Sequence, residues 1–182
     1  MTRRIIDNFG RPEGKHGPIS APLCTHSSPD GEVEVVIRLY PLVNAAAETC
    51  SGPEDTHWDI SWVLVEGPAP MLRRIHAVSE WRDDSMGRRD HLTNWGPLSQ
   101  IVREATFKAS RAICLGLLSR EQRLLLEHIA SDHPITDPAS VSGGWDCADF
   151  VAEVLYRAVD CKLFSRDTVD AALADARRVV RP

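Results

Sequence analysis

Three side chains in this sequence are of types that do covalent chemistry together: Cys147, His57 and His76. Cys147 lies in SGGWDCADFVAEVL (142–155), where a glycine-tryptophan turn gives way to an amphipathic stretch. A thiol becomes a useful nucleophile when its pKa falls and a neighbouring group handles its proton. The first turn of a helix helps with the first requirement, because its N–H groups and the positive end of its dipole favour a thiolate. Asp146 has the type and position of an N-cap, with Asp149 three residues on, which puts Cys147 at or near the first helical position. Asp146 also works against the thiolate, being a negative charge next door.

A base must stand beside the thiol. The seven histidines are His16, His26, His57, His76, His91, His128 and His133. His57 opens the strand-like segment HWDISWVLVEG (57–67), and His76 lies within the next one, LRRIHAVSEW (72–81). If these strands pair, both rings face one side of the sheet, one as general base and the other orienting it. Each histidine taken singly also reads as a hydrogen-bonded structural residue. Trp58, Asp59, Trp145 and Asp146 flank these groups and are the candidate substrate-contacting residues, the tryptophans as core or pocket walls. The spacing of His57, His76 and Cys147 fits no compact zinc pattern. SGGWD lacks the GxxxxGK[ST] frame of a phosphate loop, and no GxSxG is present. No metal or cofactor is implied.

These groups need a scaffold. EVEVVIRLY (32–40) reads as a strand ended by Pro41. In 57–67, Trp58, Ile60, Trp62 and Leu64 alternate with His57, Asp59 and Ser61, so the apolar and polar sets fall on opposite faces. The segments 57–67 and 72–81 form a hairpin with a longish loop. Residues 82–97 read as a polar loop, with 81–91 a candidate lid. Residues 98–119 favour strands, since Ile113, Leu115 and Leu117 alternate, with a helix through 98–112 the other option. Ser119 and Gln122 have capping-box spacing ahead of a helix whose inner face takes Leu124, Leu125, His128 and Ile129. Helices follow at 146–160 and 166–180, the latter with Asp167 as N-cap. The layout is α+β: an antiparallel sheet packed on helices over 32–182, preceded by an irregular arm at 1–31.

The 182 residues carry a net charge of -5 with no basic stripe, which argues against nucleic acid and anionic membrane surfaces as partners. No apolar run approaches the roughly 20 residues of a membrane span, and no secretory signal opens the chain. Five cysteines, an odd number without a CxxC pair, fit reduced thiols and a cytoplasmic setting. Cys24, Cys50, Cys114 and Cys161 read as structural, with Cys114 and Cys161 buried among apolar neighbours. The implied partner is a small-molecule or peptide substrate.

DCADFVAEVL, together with HWDISWVLVEG and RRIHAVSE, resembles the circularly permuted papain-like proteins, the lecithin-retinol-acyltransferase-like and PPPDE-like members of the NlpC-related superfamily. Within them it is most similar to small, mostly fungal proteins with a WNCQxFV-type motif. The resemblance spans about residues 32–180. It implies a permuted papain-like fold with Cys147 as nucleophile, His57 as base and His76 as the orienting residue. It further implies a hydrolase or acyltransferase/cyclase acting on an amide, peptide or thioester carbonyl. Asp146 and Ala148 stand where that pattern has Asn and Gln or Glu. Two other readings remain open. One is a non-catalytic binding protein of the same fold. The other is a cyclase or isomerase using His57, His76 and Asp59 for acid–base work with no covalent step.

Overall fold

The computed structural model describes residues 28–41, 56–84, 87–94, 96–135 and 145–180. Most of the arm expected at 1–31 lies outside these residues, as do Cys24, Cys50, His16, His26 and the SGG of the cysteine motif.

The fold is α+β. Strands β1 (Val33–Pro41), β2 (Thr56–Val65), β3 (Met71–Ile75), β6 (Leu98–Ile101) and β7 (Arg111–Leu118) form one antiparallel sheet in the order β6-β3-β2-β1-β7. β4 (Ala77–Asp84) and β5 (Gly87–Asn94) pair in a separate two-stranded sheet. Four helices complete the chain: α1 (Glu104–Ala109), α2 (Arg120–Ser131), α3 (Cys147–Asp160) and α4 (Arg166–Val180).

The alternation read in β2 sets the two faces of the large sheet. Trp58, Ile60 and Trp62 join Ile37, Leu39 and Ile75 in the main core, packed against Phe150 and Val154 of α3 and Leu173 of α4. The opposite face carries Tyr40, Leu72 and Val102 in a smaller cluster with Phe107 of α1. Adjacent arginines in β3 part accordingly. Arg73 binds Glu127 of α2 with two hydrogen bonds of 2.8 Å, while Arg74 turns to Asp59 on the other side. The period of two divides the chain into an oily side that takes α3 and a polar side under α1.

The expected hairpin of β2 and β3 is present, with Ile60 opposite Ile75. Segment 72–81 is not one strand. It breaks at His76, where the chain leaves the large sheet to pair β4 with β5. Residues 82–97 are therefore largely a hairpin and not an irregular polar loop. Segment 98–119 holds the expected strands as β6 and β7, with the short helix α1 between them and no helix through 98–112. Along β7 the alternation fails after Leu115. A register shift opposite Val35/Val36, with Gly116 at φ 137, flips the parity, leaving Leu117 61% exposed and burying Leu118.

Ser119 and Gln122 close the capping box that opens α2. Its inner face is offset from the expected one: Arg123, Leu126, Ile129 and Ala130 are buried, while Leu124, Leu125 and His128 face out. Arg123 takes the inner position because its guanidinium donates to the carbonyls of Gly31 and Leu118 at 2.9 and 2.6 Å, and to that of Pro29. Ser165, not Asp167, caps α4, accepting the Thr168 N–H at 3.1 Å. Cys114 and Cys161 are exposed, contrary to the buried positions expected. Cys114 alternates outward from Ile113 and Leu115, and Cys161 sits past the last turn of α3.

Candidate active site

Cys147 is the first residue of α3, 2% exposed, within the main core cluster that also holds Trp58, Ala77 and Trp145. Asp146 is the N-cap, as its position in the sequence requires. One of its carboxylate oxygens accepts the N–H of Ala148 at 2.8 Å and that of Asp149 at 3.3 Å. Asp149 returns the bond, accepting the Asp146 N–H at 3.1 Å. The reciprocal box turns the charge of Asp146 towards helix amides. It also commits the amides of Ala148 and Asp149, so neither is available to an incoming oxyanion. Burial raises the pKa of Asp149.

His57 and His76 meet. His57 Nε2 lies 2.6 Å from His76 Nδ1, and the rings stand edge to face with centroids 4.9 Å apart. Both are buried. His76 is held neutral: burial pushes its pKa well below the ordinary imidazole value, and the charge of Arg74 adds to the effect.

The pair belongs to the polar face of the sheet. Tyr40 is the cross-strand partner of His57, with ring centroids 6.1 Å apart. Asp59, two residues on, holds Arg74 in a buried ion pair of 2.5 Å. Arg74 also donates to Gln100 and lies 4.7 Å from the Tyr40 ring centroid. Ser61 Oγ and His76 Nε2 are buried and have no hydrogen-bond partner among the described residues. Burial, reinforced by the charge of Asp59, drives the Tyr40 phenol far above its usual range, so it stays protonated.

Cys147 and the histidine pair sit on elements in contact, since α3 packs against β2 and against β4, which begins one residue after His76. Cys147 packs in the core cluster with Trp58, the neighbour of His57, and His57 lies one residue from the start of β2.

Of the candidate substrate-contacting residues, Trp58 is core and Asp59 is the Arg74 partner. Trp145 is buried and donates its indole N–H to Glu153 at 2.9 Å, while Asp146 caps the helix. Sequence reasoning did not single out Tyr40, Arg74 or the Glu153 clamp. Period-two spacing puts Arg74 on the face of His76, a signal that RRIH carries; the cross-strand pairing of Tyr40 with His57 needs the register. Glu153 joins His133, at 2.7 Å, to Trp145 across eleven intervening positions of sequence, and no local pattern announces such a contact.

Among the described residues no three His, Cys, Asp or Glu side chains cluster as metal ligands, and no helix is long and apolar enough to cross a membrane. No family model, curated protein or solved structure matches the chain.

Proposed function

We propose that the protein is a thiol-dependent hydrolase or acyltransferase/cyclase of permuted papain-like type, acting on an amide, peptide or thioester carbonyl. The observation that carries this reading is the 2.6 Å contact between His57 Nε2 and His76 Nδ1, a base oriented by a neutral partner. Cys147 heads a helix packed on the strand of that base, where the helix terminus favours a thiolate.

In the proposed reaction His57 Nδ1 takes the Cys147 proton. The sulfur attacks the carbonyl carbon, and a C–S bond forms. As the tetrahedral species collapses, the imidazolium returns the proton to the departing amine or thiol, and the C–N or C–S bond to it breaks. The acyl-enzyme then passes its acyl group to water or to a second nucleophile, deprotonated by His57, and the Cys147 thiol is restored. His76 stays neutral throughout and fixes the ring. Exposed thiols at Cys114 and Cys161 are consistent with a reducing, cytoplasmic setting.

A second reading has its own support. His57 meets both His76 and its cross-strand partner Tyr40, with Asp59 two residues on, which favours acid–base chemistry on a carbonyl substrate with no covalent step. An activated ester, p-nitrophenyl acetate, separates the two. The covalent reading expects a burst of nitrophenol and an acetyl group on the Cys147 peptide, both absent in Cys147→Ala and in His57→Ala. Turnover that survives Cys147→Ala but not His57→Ala selects the second reading. Activity untouched by either change removes both.

A further inference from the structure

We propose that Arg74, held by Asp59, is a positioning residue that keeps the shared proton of the histidine pair on His57. The inference deepens the reading above, since it rests on His57 being the working base.

Two imidazoles 2.6 Å apart and out of water do not both carry charge. Which ring takes the first proton decides whether the pair works as a base. If His76 were charged, its Nδ1–H would occupy the lone pair of His57 Nε2. The neutral His57 would then carry its proton on Nδ1, the edge it needs free to act. If His57 takes the proton, His76 Nδ1 accepts from its Nε2–H in both the resting and the charged state, and the ring does not turn over.

Arg74 breaks this symmetry. It precedes His76 by two residues and shares its face, so a fixed cation stands on the His76 side of the pair. Its placement is over-determined: Nε donates to Asp59, Nη1 donates to Gln100 of β6, and the guanidinium lies over the Tyr40 ring. Arg74 is 3% exposed, so solvent screens its field little.

The other groups near the pair do not cancel this bias. Asp59 accepts from Arg74 Nε and stands on the strand of His57, two residues away, so its negative charge lies on the His57 strand. Tyr40 stays a neutral phenol. Arg38, the cross-strand partner of Asp59, turns to Ser110 at 3.1 Å and to the Phe107 ring of α1. On α1 itself, Glu104 and Lys108 pair with each other at the surface. From α3, Asp146 is spent on its cap, and Cys147 is the group that His57 serves in the reading above.

The test is nitrogen-detected NMR of uniformly labelled full-length protein, following the ring nitrogens of His57 and His76 from pH 4 to 9 in wild type, Arg74→Gln, Arg74→Lys and Asp59→Asn/Arg74→Gln. In wild type, the pair is expected to take up one proton, on His57, with His76 neutral and its Nδ1 unprotonated. Arg74→Gln and the double variant are expected to raise the proton affinity of His76 at least about tenfold, one pH unit in its midpoint, with Nδ1 of His76 becoming protonated. Arg74→Lys restores the wild-type pattern. The double variant leaves no buried carboxylate unpaired, so it reports even if the single change prevents folding. A His76 titration identical in wild type, Arg74→Gln and the double variant overturns the proposal, as does a wild-type proton resting on His76. The readout is independent of the thiol, so the covalent reading can fail while this assignment stands.

Discussion

His57 Nε2 lies 2.6 Å from His76 Nδ1, with both rings buried and on the strands that carry the ion pair of Arg74 and Asp59 or directly beside them. A neutral, desolvated histidine has a thermodynamic signature. Because His76 is depressed below its ordinary value of 6.5, the unfolded chain binds a proton there that the folded chain refuses. Stability must then rise with pH through the window from the folded value up to about 6.5, and fall as the solution is acidified through it. Urea titrations between pH 5 and 7.5 are expected to show this slope. His76→Gln flattens it by at most one proton, about 1.4 kcal/mol per pH unit. A wild-type slope unchanged in His76→Gln would show that the ring titrates normally.

The two tyrosines give a matching test at the alkaline end. Burial and Asp59 raise Tyr40, and the hydrogen bond to Asp170 raises Tyr156. Absorbance at 295 nm is expected to show neither phenol ionising near pH 10 in the native protein. Tyr40 is expected to ionise only as the fold is lost, leaving Tyr40→Phe with a single reversible transition. Reversible ionisation of both groups near pH 10, with the fold intact, would count against the packing described for Tyr40.

Lys162 follows the C-cap of α3 at φ 61, where the Leu163 N–H reaches the Ala158 carbonyl and the Lys162 N–H that of Val159. This is a Schellman closure with a side chain in the left-handed position that glycine fills without strain. Lys162→Gly is expected to stabilise the protein by about 1 kcal/mol, seen as a higher thermal midpoint. A loss of stability would mean the position is not held left-handed in solution.

Glu153 uses both carboxylate oxygens, one on His133 and one on the Trp145 indole. Glu153→Ala leaves a buried indole N–H without its acceptor and is expected to cost about 1–3 kcal/mol, as a lower urea midpoint at unchanged m-value. Glu153→Gln, which keeps an acceptor for Trp145, should cost less. Equal midpoints in all three proteins would show that the clamp contributes nothing.

The sequence carried most of the elements because their causes are local. Alternation in β2, the Ser119 and Asp146 boxes, and the stripe of Phe150, Val151, Val154 and Leu155 each need only a few neighbouring residues to be recognised. The misses have non-local causes. The Gly116 bulge flips the end of β7. Arg123 displaces the inner face of α2 because carbonyls of residues 29, 31 and 118 converge on it. The strand break at His76 depends on β5 being there to pair with β4. In the site, the pairing of His57 with His76 was legible from two strands and one parity rule. The tie of Arg74 to Asp59 required the register that sets Ser61 opposite Arg74 and Arg38 opposite Asp59.

The coupling of thiol to base is tested most directly by the pH dependence of Cys147 alkylation, in wild type and in His57→Ala. Iodoacetamide labelling read peptide by peptide distinguishes Cys147 from the exposed Cys114 and Cys161, which serve as internal references. The expected result is a Cys147 titration well below the free-thiol value of about 8.5, lost in His57→Ala while the two reference thiols are unchanged. A Cys147 that stays inert, or that titrates identically with and without the His57 ring, would contradict the proposed dyad.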